Sequence, residues 1–118
     1  MKTLWFTLML LVFAILYAGE KNSNLDIAKY YSNLSKDYEK NLSIGNYQKA
    51  YTIAIEQLNL DPSDTVAYIR MAIATQHINV DRQKILKEYS SKISERDSFH
   101  VQIKSIANAL LNTPKASD

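Results

Sequence analysis

Apolar residues recur every three or four positions along most of this chain, which is the spacing of one face of an α-helix. The spacing predicts helices over roughly residues 25–42, 47–60 and 65–78, a fourth that begins at Asp81, and a fifth that begins near Asp97. The core stripes of the first two helices are Tyr31, Leu34, Tyr38 and Leu42, followed by Tyr47, Ala50, Tyr51, Ala54 and Leu58. With only two glycines and two prolines to interrupt it, the chain is predicted to be all-α.

Gly45 marks the turn between the first two helices. A sharp turn after a helix needs a positive φ, which glycine adopts at little cost. Asn46 can then cap the second helix. Pro62 stops that helix, because proline moves the preceding residue away from helical geometry. We therefore expect the first two helices to form an antiparallel hairpin with marked ends.

The other helix starts are marked by residues that can cap a helix. Asn24 precedes the first helix and Asp26 lies in its first turn, where the helix dipole favours a carboxylate. The remaining candidate caps are Ser63 or Asp64 for the third helix and Asp97 or Ser98 for the fifth, and Asp81 begins the fourth. The third helix carries apolar residues on more than one face, so we expect it to be buried on two sides.

The chain begins with an uncharged apolar segment, Leu4 to Ala18, that follows Lys2 and precedes a polar linker. Its roughly 15 residues suit a signal-peptide core and are slightly short for a span of about 20. A cut after Ala18 would follow Leu16 and Tyr17, a poor match to the small-residue cleavage pattern, so an uncleaved transmembrane anchor is favoured over a signal peptide. The predicted organisation is a membrane segment in residues 1–19, a helical domain in residues 20–112 and a disordered tail in residues 113–118.

The hairpin resembles a tetratricopeptide repeat, most closely from Gly45 to Pro62. The matching residues are Gly45, Tyr47, Ala50, Leu58, Leu60, Asp61 and Pro62, and Tyr68, Met71 and Ala72 continue the pattern into the next helix. The sequence departs from the pattern in three places: Gln57 replaces the usual alanine of the second helix, Asp37-Tyr38 replace an aliphatic-small pair of the first, and the helix after Asp81 keeps only general amphipathicity. The resemblance implies about two repeats of antiparallel helical hairpins, with the helix from Asp97 as a C-terminal cap.

The resemblance also implies a partner-binding face, because the first helix of each repeat lines the concave side of such arrays. The corresponding residues here are Ser35, Lys36, Glu39, Ile69, Arg70, Ile73 and His77. Lys36 and Arg70 would offer charge to an acidic group or a C-terminal carboxylate, and Ile69 and Ile73 would offer apolar contact. The alternative is that the two isoleucines are covered by the first or last helix.

Composition argues against most kinds of chemistry. The chain has no cysteine, and His77 and His100 are isolated from other ligating residues, so we expect no metal site. We expect no cofactor, since no glycine-rich phosphate loop or dinucleotide fingerprint is present. The net charge of +2 is small and the basic residues alternate with acidic ones, which disfavours nucleic acid as a partner. No residue constellation points to catalysis, so the chain is not expected to be an enzyme.

Three functional hypotheses remain open. The first is a membrane-tethered adaptor that binds a protein partner on the outer side of a cytoplasmic membrane, with the domain in the periplasm or an equivalent compartment. The second is a small structural subunit of a larger membrane complex. The third is a secreted effector or immunity-type protein released by cleavage. Residues 4–18 would provide the membrane contact in the first two cases, and an oligomer is compatible with each of the three.

Overall fold

The computed structural model describes residues 23–113, which form helices joined by short turns. The helices are α1 (Ser23–Ser43), α2 (Tyr47–Leu60), α3 (Thr65–Thr75), α4 (Arg82–Tyr89) and α5 (Ser98–Asn112), with one 3-10 turn at Ser90–Lys92. Residues 23–113 contain no strand, so the all-α prediction is confirmed. The predicted membrane segment and the residues after Thr113 lie outside the described range. Within that range, no helix combines the length and the apolar character needed to cross a membrane.

The chain divides into two units, and the boundary falls inside α1, between Asn33 and Leu34. The described part of the N-terminal unit is the first half of α1, on which Leu25, Ile27 and Tyr30 are exposed. Asp26 lies in the first turn of this helix as predicted. The proposed N-cap at Asn24 is wrong, because the helix already includes Ser23.

The second unit begins with the C-terminal half of α1, which ends in a glycine-dependent turn. Gly45 has a φ of +80°, the left-handed conformation predicted for it. Its backbone N–H donates to Leu42 O, and the N–H of Asn46 donates to Asn41 O at 2.8 Å. These two bonds define a Schellman motif, which satisfies carbonyls that the end of the helix would leave unpaired.

Asn46 precedes α2, but its side chain does not cap that helix. The side-chain amide donates instead to Asn41 Oδ1, back across the turn, at 3.2 Å. Asn41 is itself buried and donates to Asp37 O. The prediction of an Asn46 cap is therefore wrong in its contact, because the amide stabilises the end of α1 rather than the start of α2.

Helices α2 and α3 pack closely as an antiparallel hairpin. Four residues, 61–64, join the end of α2 to the start of α3. At the other end, the ring of Tyr47 in the first turn of α2 stacks on the ring of His77 just after α3, with centroids 3.9 Å apart. Asp64 caps α3 by accepting from the backbone N–H groups of Val66 and Ala67. Of the two caps considered for this helix, the structure selects Asp64.

Helix α3 is the centre of the core. Its residues Thr65, Ala67, Tyr68, Met71, Ala72, Ala74 and Thr75 are all buried. It packs closely against α2 and also against α5, so the prediction that it is covered on two sides is confirmed. The helix ends at Thr75, three residues earlier than expected, where the N–H groups of Gln76 and His77 turn to carbonyls three residues back.

The pairing of the C-terminal helices differs from the prediction. We expected α4 to pair with α3 and α5 to cap the array, but α5 is the close neighbour of α3, and α4 packs on α5. Tyr68 Oη donates to Asn108 Oδ1 at 2.6 Å, and Gln76 Nε2 donates to Leu110 O at 3.0 Å. A buried tyrosine and a helix-end glutamine thus fix α5 on α3.

Helix α4 is short, and local signals set its ends. Asp81, where the helix was predicted to begin, caps it through the N–H of Lys84. It ends at Tyr89, where the 3-10 turn begins, so the buried Ile93 lies beyond the helix that was expected to include it. Asp97 then caps α5 through the N–H of His100, which decides between the two caps considered there. Helix α5 ends at Asn112 with Thr113 as its C-cap, where an end was predicted.

Candidate partner-binding site

Arg70 is the centre of a polar cluster that joins the C-terminal half of α1 to α2 and α3. Its Nη1 donates to Ser35 Oγ at 2.9 Å and lies 3.5 Å from Gln57 Oε1. The amide of Gln57 also donates to Ser35, with Nε2 and Oγ 2.8 Å apart. Ser35 Oγ therefore accepts from both side chains. Ser35, Gln57 and Arg70 belong to three different helices, so these contacts can form only in the folded domain.

Tyr38 contacts Arg70 through both its ring and its hydroxyl group. The guanidinium carbon lies 5.5 Å from the centre of the Tyr38 ring, within the range of a cation–π contact. The Tyr38 hydroxyl donates to the backbone carbonyl of Arg70 at 2.6 Å. Burial raises the pKa of Tyr38 to about 12, although the nearby charge of Arg70 opposes the rise. The tyrosine therefore fixes both the backbone and the side chain of Arg70 and stays neutral at physiological pH.

Glu39 is the loosely held member of the cluster. Its Oε1 lies 3.8 Å from Arg70 Nη2, within ion-pair range but beyond a good hydrogen bond. The side chain of Glu39 is 72% exposed, whereas that of Arg70 is 20% exposed. An exposed pair of this kind contributes little to folding. Another carboxylate could therefore replace Glu39 at the outer edge of the guanidinium at small cost.

The predicted partner-binding residues fall into three groups. Ser35, Glu39 and Arg70 meet in the cluster. Ile69 and Ile73 lie on the same side of α3 as Arg70 and are half-buried, so neither is fully covered. His77 is stacked on Tyr47, and Lys36 is exposed on α1, one turn before Glu39. A partner at this face would meet the positioned guanidinium of Arg70, the half-buried Ile69 and Ile73, and the exposed Lys36.

Gln57 and Tyr38 were not among the predicted site residues, although the sequence distinguished both. Both depart from the repeat pattern, and each is almost fully buried. A glutamine on the apolar stripe of α2 must find a buried hydrogen-bond partner, because an unpaired amide would be costly there. That partner is the Ser35–Arg70 pair. Asp37 also departs from the pattern but is exposed, so the signal for the cluster was a departure at a buried position.

Within residues 23–113, no group of histidine and acidic side chains is arranged to hold a metal ion. The nearest approach to a reactive pair is His100 with Asp97, whose ring nitrogen and carboxylate are 2.7 Å apart at the start of α5. The same carboxylate oxygen also accepts the backbone N–H of His100. The pair therefore closes the first turn of a helix, which is a structural role.

No protein-family model matches this chain, and comparison with curated proteins and with solved structures finds no match either. The likeness to tetratricopeptide repeats thus rests on the sequence between Gly45 and Pro62, which forms one helix and its flanking turns. The function has to be argued from the cluster around Arg70.

Proposed function

We propose that this chain is a non-enzymatic adaptor with a tetratricopeptide-like helical domain that binds a protein partner. The observation that carries the proposal is the fixed position of Arg70. Two hydrogen-bonding groups and an aromatic ring hold this guanidinium at the face shared by α1 and α3. A charged group that is already ordered loses little entropy when a ligand binds, so preorganisation of this kind favours recognition.

The ligand chemistry that fits Arg70 is a carboxylate, from an acidic side chain or a chain terminus. A guanidinium can bind a carboxylate through two parallel hydrogen bonds, which are stronger than neutral ones. Glu39 occupies the outer edge of Arg70 at 3.8 Å and can swing into solvent. An incoming carboxylate would displace Glu39, Lys36 would add a second positive charge, and Ile69 and Ile73 would receive an apolar side chain of the partner.

The cellular setting is part of the proposal. Residues 4–18 would anchor the chain in the cytoplasmic membrane as a single span, and the helical domain would lie on its outer side. Determining the mature N-terminus by mass spectrometry tests this arrangement. An intact segment supports the tether, whereas a chain that starts after Ala18 would indicate a secreted effector or immunity-type protein.

A second candidate function is supported by two strongly exposed apolar side chains. Leu25, in the N-terminal unit, is 69% exposed, and Ile44, in the C-terminal unit, is 67% exposed. Burial of such residues in a permanent assembly is compatible with a structural subunit of a larger membrane complex. Extraction in mild detergent followed by size analysis separates the candidates, because an adaptor is expected to be recovered in a small particle and a subunit in one stable large assembly.

The binding proposal is tested by two substitutions with opposite expected effects. Lys36→Glu removes an attractive charge and should lower the amount of partner that co-purifies with the full-length chain. Glu39→Gln removes the competing carboxylate and should raise it. Both side chains are exposed, so neither change should disturb the fold. Lys49→Glu, at an exposed position of α2, is the matched control and should leave capture unchanged.

If Lys36→Glu and Glu39→Gln capture as much partner as the control Lys49→Glu, the partner does not bind at the face around Arg70. Arg70 itself is less suitable for the first test, because its replacement removes bonds to Ser35 and Gln57 and would lower stability as well. Lys36 and Glu39 separate recognition from folding, since neither belongs to the buried part of the cluster.

A further inference from the structure

The first half of α1 exposes apolar side chains on more than one side of the helix. Leu25 is 69% exposed, Ile27 is 40% exposed and Tyr30 is 47% exposed. At about 100° per residue, Leu25 and Ile27 lie about 160° apart around the helix axis, and Tyr30 lies about 60° from Ile27. Every residue from 25 to 30 is exposed, so the rest of the described chain covers no side of this stretch.

This distribution disfavours a single protein partner for the stretch. A helix or sheet that packs against another helix covers one face of it, as the apolar stripe of a surface helix shows. Leu25 and Ile27 lie on nearly opposite faces, so one such partner would leave one of them in water. A medium that surrounds the helix reaches both side chains at once. The headgroup layer of a membrane is such a medium, because it accommodates apolar, aromatic and charged side chains together.

The place of these turns in the chain points to the same layer. The hydrocarbon part of a bilayer is about 30 Å thick and takes about 20 helical residues. The apolar residues 4–18 are fewer than that, so the outer boundary of the hydrocarbon would fall between Ala18 and Ser23, depending on how far the bilayer thins. The headgroup layer adds about 5–8 Å on each side. Helix α1 begins at Ser23, and Leu25 is only two residues, or about 3 Å, further along it.

The charged residues of the stretch fit a headgroup layer better than a hydrocarbon core. Asp26 and Lys29 are both exposed and lie between the apolar residues. Either charge would be strongly unfavourable in hydrocarbon, whereas the phosphate and amine groups of lipids can solvate both. Tyrosine is enriched at this depth of a membrane, and Tyr30 lies at the outer end of the stretch.

We propose that the first half of α1 passes through the headgroup layer of the membrane, where lipid covers both Leu25 and Ile27. The proposal rests on the membrane anchor of the proposed function and does not depend on the cluster around Arg70. Leu25 then needs no second protein to cover it. Of the two exposed side chains that support a structural subunit, Ile44 alone would remain.

Fluorescence quenching of the full-length chain in vesicles of phosphatidylcholine and phosphatidylglycerol tests the proposal. The chain has no cysteine, so Leu25→Cys, Ile27→Cys and Asn33→Cys each create a single site for a fluorescent dye. Lipids that carry a nitroxide on the headgroup should quench the dye at positions 25 and 27 alike, although these lie on opposite sides of the helix. Asn33→Cys is the matched control. Asn33 is exposed on the same helix but lies about 12 Å beyond Leu25, so its dye should be quenched clearly less.

Leu11→Cys, in the middle of the apolar segment, separates failure of the proposal from failure of the anchor. Nitroxides placed deep in the acyl chains should quench a dye at this position if the segment anchors the chain. Quenching at position 11 together with equal, weak quenching at positions 25, 27 and 33 would overturn the proposal and leave the anchor standing. Quenching at only one of positions 25 and 27 would overturn it too, because lipid would then cover one side of the helix. A dye at position 11 that is not quenched would show that the anchor is wrong, and the proposal would fall with it.

Discussion

Gln57 donates its side-chain amide to Ser35, with Nε2 and Oγ 2.8 Å apart, and so links α2 to α1 inside the domain. Gln57 has no exposed surface, and it occupies the position at which the tetratricopeptide pattern has a small alanine. Its carbonyl oxygen also faces Arg70 Nη1 at 3.5 Å. A buried glutamine therefore replaces close apolar packing with a polar link that also positions the cation of the candidate site.

Gln57→Leu should destabilise the domain by about 1–3 kcal/mol, because the half-buried hydroxyl of Ser35 and the guanidinium of Arg70 both lose a partner. Gln48→Leu, at an exposed position of the same helix, should change stability by no more than roughly 0.5 kcal/mol. Urea unfolding of the two variants measures the difference. Equal effects would show that the link across the three helices contributes no stability.

Gly45→Val should cost more than about 1 kcal/mol, since a β-branched residue strongly disfavours the left-handed conformation. A Cβ at this position would meet only Tyr47 Cε2 at 4.0 Å, an ordinary contact, so the cost comes from the backbone rather than from a clash. Gly45→Asn should therefore cost clearly less, because asparagine tolerates positive φ better than valine. Thermal melting of both variants measures this order, and equal melting temperatures would refute the backbone explanation.

Tyr38→Phe removes the hydrogen bond to Arg70 O and should lower stability by about 1 kcal/mol at neutral pH. It should also change the alkaline behaviour. Burial raises the pKa of Tyr38 to about 12 in the folded protein. The contribution of the neutral hydroxyl to the free energy of unfolding is therefore fully present below the pKa that Tyr38 has in the unfolded chain. It is lost as the pH rises through the pKa of the folded state. Denaturant unfolding at pH 7 and at about pH 11 should show a smaller alkaline loss in the phenylalanine variant than in the wild type. The same loss in both chains would exclude this role for Tyr38.

Asp97 should make the start of α5 sensitive to acid. The hydrogen bond from the His100 ring, followed by the one from its backbone, holds the pKa of Asp97 below its ordinary value. The ionised carboxylate therefore stabilises the folded protein above the pKa that Asp97 has in the unfolded chain. This stabilisation is lost as the pH falls through the pKa of Asp97 in the folded state. Asp97→Asn retains a capping side chain but does not titrate, so it should lose less stability on acidification. His100→Gln should raise the pKa of Asp97 in a carboxyl NMR titration, and an unchanged value would show that the ring does not hold it.

The sequence by itself determined the fold class and most helix ends. Gly45, Asp64, Asp81 and Asp97 act through backbone groups within a few residues of themselves, so their effects are visible without knowledge of the neighbouring helices. Asn46 shows where this reasoning fails. Its side-chain nitrogen donates to Asn41 across the turn, and its side-chain oxygen does not cap α2.

Only the tertiary structure decided which helices are neighbours and what each polar side chain binds. The amphipathic patterns of α4 and α5 were both compatible with packing on α3, and α5 took that place through contacts of Tyr68 and Gln76 with residues more than thirty positions away. Likewise, the sequence did not show that Ser35, Gln57 and Tyr38 hold Arg70 in place. Helical periodicity predicts which face of a helix is buried, but it does not identify the helix that packs against that face. That choice depends on the shapes and hydrogen bonds of side chains that meet only in the folded chain.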